Sequence, residues 1–267
     1  CIRDRKDLLL SENRLIIIGK ELRKYKLGDT LEFFVGNYHS HPQAYVAAAE
    51  DTAEELLDIR FKEGSTSSQR LANLIHNASV ESRNKSTYPY QVMTMLCTST
   101  ESAFLPLLTT ATLKTDVTIP KETGGGKGNK GGEEQSEDGE KTIILDGGVV
   151  FKGGKELCRV DDDGAMAIFF MNDMPSEYSF TVPLGQNAKP SVMLIGVTRS
   201  IKATEYNGKV KFDVSFSASG KIGSKGGMKE DEKKAAEKVA EPAERELKRK
   251  IESSVTVSYT HLTLPTI

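Results

Sequence analysis

The sequence predicts a mixed α+β protein, built as successive small domains in which a mixed β-sheet packs with helices. Three features predict it. Short β-branched apolar runs alternate with helical spacing in the first third, glycine pairs punctuate alternating strands in the middle, and a long charged segment with one apolar stripe follows them. The 267 residues are 37% hydrophobic and 28% charged, a globular composition carrying polar inserts.

RLIIIG, from Arg14 to Gly19, is a short apolar run ended by a breaker and reads as a buried strand. KELRKYK gives a short helical piece. Asp29, with Glu32 three residues on, marks a helix start, and Gly36 ends that helix. YVAAA, Tyr45 to Ala49, is a second strand, so the three elements form a βαβ unit with parallel strands. Asp51 with Glu54 opens a further helix reaching about Phe61. Leu71, Leu74, Ile75 and Ala78 put an amphipathic helix at Ser68 to Ser79, and another runs from Tyr90 to Thr98. The unit extends to about Val117.

GGGKGNKGGEEQSEDGEK, Gly124 to Lys141, is rich in glycine and acid. A phosphate-cradling loop would need G-x-x-x-x-G-K-[ST]. Here Gly128 follows Lys127, Gly131 follows Lys130, and five carboxylates come next, which repel phosphate. The segment is a flexible linker.

Beyond it, Gly153-Gly154 sits between Val149–Phe151 and Leu157–Val160 as a hairpin turn. Asp161 to Asp163 cap the apolar helix AMAIFFM, and SFTVP resumes strand character. Asn207-Gly208 fits the type I′ turn of a long hairpin. Val210, Phe212, Val214 and Phe216 share one face of its return strand, read as half-buried. In the final charged helix, Ala236, Val239, Ala240, Ala243, Leu247 and Ile251 form a stripe that packs on a sheet. Pro242 should kink that helix or start a second one.

The expected divisions are therefore 1–118, an N-terminal α/β domain truncated at its start; 119–141, the linker; 142–190, a second α+β domain; and 191–255, an incomplete third. Residues 256–267 read as a non-native tail, because VSYTHLTLPTI resembles translated sequencing-adaptor DNA. A third domain short of part of its sheet would leave an exposed edge.

The net charge of −2 argues against nucleic acid as a partner, since binding it rests on neutralising phosphates. No apolar run approaches the roughly 20 residues a bilayer span needs. Cys1, Cys97 and Cys158 lack metal or disulfide spacing; Cys97 and Cys158 read as buried thiols. His39 and His41 alternate and so could share a metal, but no third ligand is near and Pro42 places them in a loop. His76 flanks the apolar stripe of its helix as a boundary residue. Asp161 to Asp163 lack the alternating ligands and closing glutamate of a calcium loop. No catalytic, cofactor-binding or metal-ligating residues are assigned, and no cofactor is expected.

Two segments carry a family resemblance. SENRLIIIGKELRKYKLGDTLEFFVGN with AYVAAAEDTAEELL is similar to the first domain of the Ger(x)C spore germination proteins, the C subunits of nutrient germinant receptors. IILDGGVVFKGGKELCRVDDDGAMAIFFM resembles that family's second domain. The resemblance covers most of Ser11 to about Ser253 and rests on the order of segments. It implies a non-enzymatic lipoprotein on the outer face of the spore's inner membrane, held there by an N-terminal lipid. It also implies two integral-membrane partners, receptor subunits A and B. Cys1 lies too close to Arg14 to be the lipidated cysteine, the loop from Asn37 to Pro42 departs from the family's charged loop, and the family's last strands do not follow the long helix. Two readings from other classes stand beside this one. An extracytoplasmic small-ligand module would show a closed pocket between the first two domains. A hydrolase would show perturbed carboxylates facing one another in a cleft.

Overall fold

A computed structural model describes residues 10–37, 40–59, 66–98, 101–113, 140–172, 175, 177–185, 188–206 and 209–261. Two sheets organise them, one of five strands and one of three.

The first sheet begins as the sequence predicts. β1 (Leu15–Ile18) and β2 (Tyr45–Ala49) are parallel, with Leu15 opposite Tyr45 and Ile18 opposite Ala48. α1 (Leu27–Gly36) makes the crossover. It starts at Leu27, before the expected cap, so Asp29 lies in its first turn, where a carboxylate favours the positive helix end. α2 (Ala53–Asp58) is capped by Thr52, whose hydroxyl accepts from the Glu55 amide, rather than by Asp51. Asp51 is instead paired with Lys20 at 2.9 Å. α3 (Ser67–Val80) and α4 (Pro89–Cys97) fall where helical spacing puts them.

β3 (Ala103–Leu113) was not foreseen, and it is the pivot of the sheet. It runs parallel to β2 and antiparallel to β4 (Glu140–Lys152), which pairs in turn with β5 (Lys155–Val160). A bulge after Pro106 accommodates a residue that cannot donate to a ladder. Leu113 faces Glu140, so residues 114–139 join two neighbouring strands, and the expected linker ends early because Glu140 and Lys141 belong to β4. The rest of that linker lies outside the described residues. The sheets do not divide where composition does. β4 and β5, assigned to a second domain, complete the first sheet.

Both faces of this sheet are covered. Val46, Ala48, Leu105, Leu107, Val149 and Phe151 pack with Leu27 and Leu31 of α1 and Val92 of α4. Ala47, Ala49, Leu108 and Ile143 pack with Leu56 of α2 and with Leu71 and Ile75 of α3. Burial on two faces is why β2 reads as an unbroken apolar run. The β4–β5 hairpin turns at Gly153 and Gly154, whose φ values of 58° and 85° are the left-handed pair that type I′ turns need. Gly148 serves close approach: a Cβ there would lie 2.2 Å from the Phe104 ring.

α5 (Asp162–Asn172) follows β5, and Asp161 caps it by accepting from the Gly164 amide at 2.8 Å. The second sheet then forms from β6 (Glu177–Thr181), β7 (Ser191–Tyr206) and β8 (Lys209–Ser224), all antiparallel. The expected boundary at 190/191 separates β6 from β7, which are paired. Tyr206 faces Lys209 across the Asn207-Gly208 turn, which lies outside the described residues. α6 (Glu232–His261) is one helix with Pro242 inside it, not two, and it takes in residues 256–261 of the expected tail. Its stripe also differs: Ala235, Val239 and Ala243 are buried, whereas Ala236 and Ala240 stay exposed.

Candidate functional site

Three surfaces merit a functional reading. The first is the β7–β8 ribbon. At its base Phe216 meets Phe170 of α5 edge-on at 5.8 Å, inside a core shared with Val239 and Ala243 of α6. Further out on the same face, exposure climbs from 36% at Val214 to 56% at Phe212 and 59% at Val210. Ile201, opposite Val214, is 45% exposed. The expectation of a half-buried strand therefore fails beyond Phe216. Period-two alternation marks an apolar face but does not say how far a second layer extends over it. Beside the covered part, a groove of about 620 Å³ runs between β8 and α6, lined by Ile222, Ala236 and Ala240 among others.

The second surface is a cleft of about 610 Å³ at the junction of the two sheets. Arg83, Asn84, Asp162, Asp163, Tyr178, Glu246 and Lys250 supply its polar lining. Its charges are spent on one another and on backbone. Lys250 pairs with Asp163, Asp162 accepts from the Gly147 amide at 2.7 Å, and Arg249 grips Glu246 at 2.7 Å. Tyr178 is buried, which, with Asp163 nearby, pushes its phenol up to about 12. The cleft's charges are thus largely consumed in holding β4, α5 and α6 together.

The third is a dip of about 310 Å³ at the N-terminal end of β1 and β2, where His41 and His76 both lie. Sequence spacing gave no hint of this meeting, since the two histidines are brought together by the packing of α3 beside the loop before β2. His39, the other half of the expected histidine pair, lies outside the described residues, as does Cys1. Among the described residues, no group of three or more His, Cys, Asp or Glu is placed to hold an ion. Asp161, Asp162 and Asp163 point to three different partners rather than to a common centre.

Cys97, the last residue of α4, is exposed, against the expectation of a buried thiol. Cys158 is partly buried, and that burial, followed by the charge of Glu156, raises its thiol pKa. Glu21, Glu230 and Glu246 are each held below the ordinary carboxylate range by hydrogen bonds from Lys24, Lys238 and Arg249 respectively. A carboxylate serving as general acid would be shifted the other way. No described helix is long and apolar enough to cross a membrane.

A mixed sheet clasped by helices, followed by a smaller antiparallel sheet under a long helix, defines an α+β protein. The comparisons with known proteins say which kind. Residues 3–110 match the model of the spore germination protein N-terminal domain, and residues 146–261 match that of the spore germination B3/GerAC-like C-terminal region. The chain belongs to the Ger(x)C family of spore germination proteins, the C subunits of germinant receptors. The crystal structure of the GerBC protein shares the fold, with a TM-score of 0.52 at 12% identity over 91% of this chain. This chain spans 62% of the length of that structure. None of the curated proteins matches.

Proposed function

We propose that this chain is the non-enzymatic lipoprotein subunit of a spore nutrient germinant receptor, working through protein–protein contacts at the outer face of the spore's inner membrane. Its partners on this reading are the integral-membrane subunits A and B of the receptor. An N-terminal lipid on a cysteine other than Cys1 anchors the full-length protein. The observation that carries the reading is the pair of family matches, which follow one another in order on either side of residues 111–145. Two features of the molecule support it. The charges of the cleft between the sheets pair with one another, and four exposed apolar side chains, Ile201, Val210, Phe212 and Val214, lie together on the β7–β8 ribbon.

The test is genetic. The full-length gene is expressed in a sporulating host that lacks its own C subunit, and germination in response to nutrients is measured. The proposal expects germination to return. A stably produced protein that restores nothing would count decisively against it.

A further inference from the structure

We propose that the dip at the N-terminal end of β1 and β2 is a binding site for a small oxyanion, a carboxylate or a phosphate, held by Arg14, His41 and His76. This goes beyond the receptor role and does not depend on it. Nine residues line the dip: Arg14, His41, Gln43, Tyr45, Gln69, Ala72, Asn73, His76 and Tyr88. None is a carboxylate, although the chain carries 38 of them. Among the described residues the Arg14 side chain has no carboxylate partner.

Hydrogen bonding fixes what the two rings offer. The Nδ1 of His41 accepts from the Gln43 backbone amide at 3.2 Å, so a neutral His41 carries its proton on Nε2. The Nδ1 of His76 lies 3.0 Å from the Tyr45 hydroxyl. Burial, and then the neighbouring Tyr88, raise the Tyr45 phenol, so it remains a hydroxyl at neutral pH, able to donate to that nitrogen or to accept from it. His41 therefore keeps an Nε2–H donor to spare, and so does His76 in the tautomer that accepts from Tyr45. Arg14 adds a planar fork suited to two oxygens, and Gln69 and Asn73 bring amides. One wall is aromatic, with Tyr45 stacked on Tyr88 at 5.5 Å. The volume is near the lower end for ligand pockets, which suits a small anion.

The other charged or titratable groups facing His76 across the dip are Arg14, His41, Tyr45 and Tyr88, with Glu12 in an adjoining hollow that shares Arg14 and Gln69.

The ring resonances of the histidines are followed by NMR in the intact chain as sodium acetate or inorganic phosphate is added, with sodium chloride at matched ionic strength as the reference. Saturable shifts at His41 and His76 are expected, and the tighter of the two probes identifies the ligand as carboxylate or phosphate. Arg14→Gln should weaken binding about tenfold, the loss of one charge-assisted pair. His76→Gln should weaken binding less, about threefold, the loss of one hydrogen-bond donor. Both side chains are exposed, so both variants fold. Shifts that rise linearly as in chloride, or saturate identically in Arg14→Gln, would mean an adventitious ion only and overturn the site. Binding unchanged in His76→Gln would overturn the role of that ring.

Discussion

In the five-stranded sheet, Val46 and Ala48 enter one helical layer while Ala47 and Ala49 enter the other. In the three-stranded sheet, the corresponding alternation on β8 meets a helical layer at Phe216 and solvent at Phe212. The strands are built of similar residues, but the layers over them differ in reach. A hydrophobic strand face becomes core only where something packs on it; elsewhere it is surface available for contact.

Substitutions can break that contrast. Leu105→Ala removes a side chain with no exposure and should cost about 2–5 kcal/mol in chemical denaturation. Phe212→Ala, at 56% exposure, should change stability by no more than about 0.5 kcal/mol. Equal losses would mean that the ribbon is core after all.

The first sheet also relies on Arg23, only 3% exposed, which donates to the Glu50 carbonyl at 3.0 Å and pairs with Glu156 of β5 at 3.4 Å. Arg23→Ala strands a backbone acceptor and a half-shielded carboxylate, so it should cost about 2–3 kcal/mol. A smaller loss would show that β5 holds its place without this tie.

Tyr178 sharpens the contrast from the other side, since it lies in the covered part of the second sheet. Its phenol is raised from 10.0 to about 12, so the folded state keeps a proton that the unfolded state gives up. The stability it contributes is full below pH 10 and is lost as pH climbs to about 12, by at most about 3 kcal/mol. Tyr178→Phe should flatten that part of a pH–stability profile. Pro242→Ala should act in the opposite direction. Restoring a missing backbone donor within α6 should raise stability by about 1 kcal/mol, seen as a higher melting temperature.

The elements that sequence revealed are those whose environment is local. Leu15–Ile18 and Tyr45–Ala49 pair as their apolar runs imply, Gly153-Gly154 turns as its dipeptide implies, and Asp161 caps as its position implies. The misses are non-local. β3 was overlooked because Pro106 and a run of threonines broke its strand pattern, and only its neighbours β2 and β4 make it a central strand. The break in composition at 119–141 suggested separate domains, yet β3 and β4 close the same sheet across it. The meeting of His41 and His76 was equally invisible, since they are separated by 35 positions in the chain, with β2 and α2 between them.

Amide-resolved hydrogen exchange under native conditions tests the contrast most directly. Amides of β2 and β3 should exchange only through global unfolding, while along residues 210–216 the amides turned away from β7 should exchange rapidly, giving an alternating pattern. Uniform, slow exchange along β8, matching that of β2, would contradict the account by showing that the ribbon is covered.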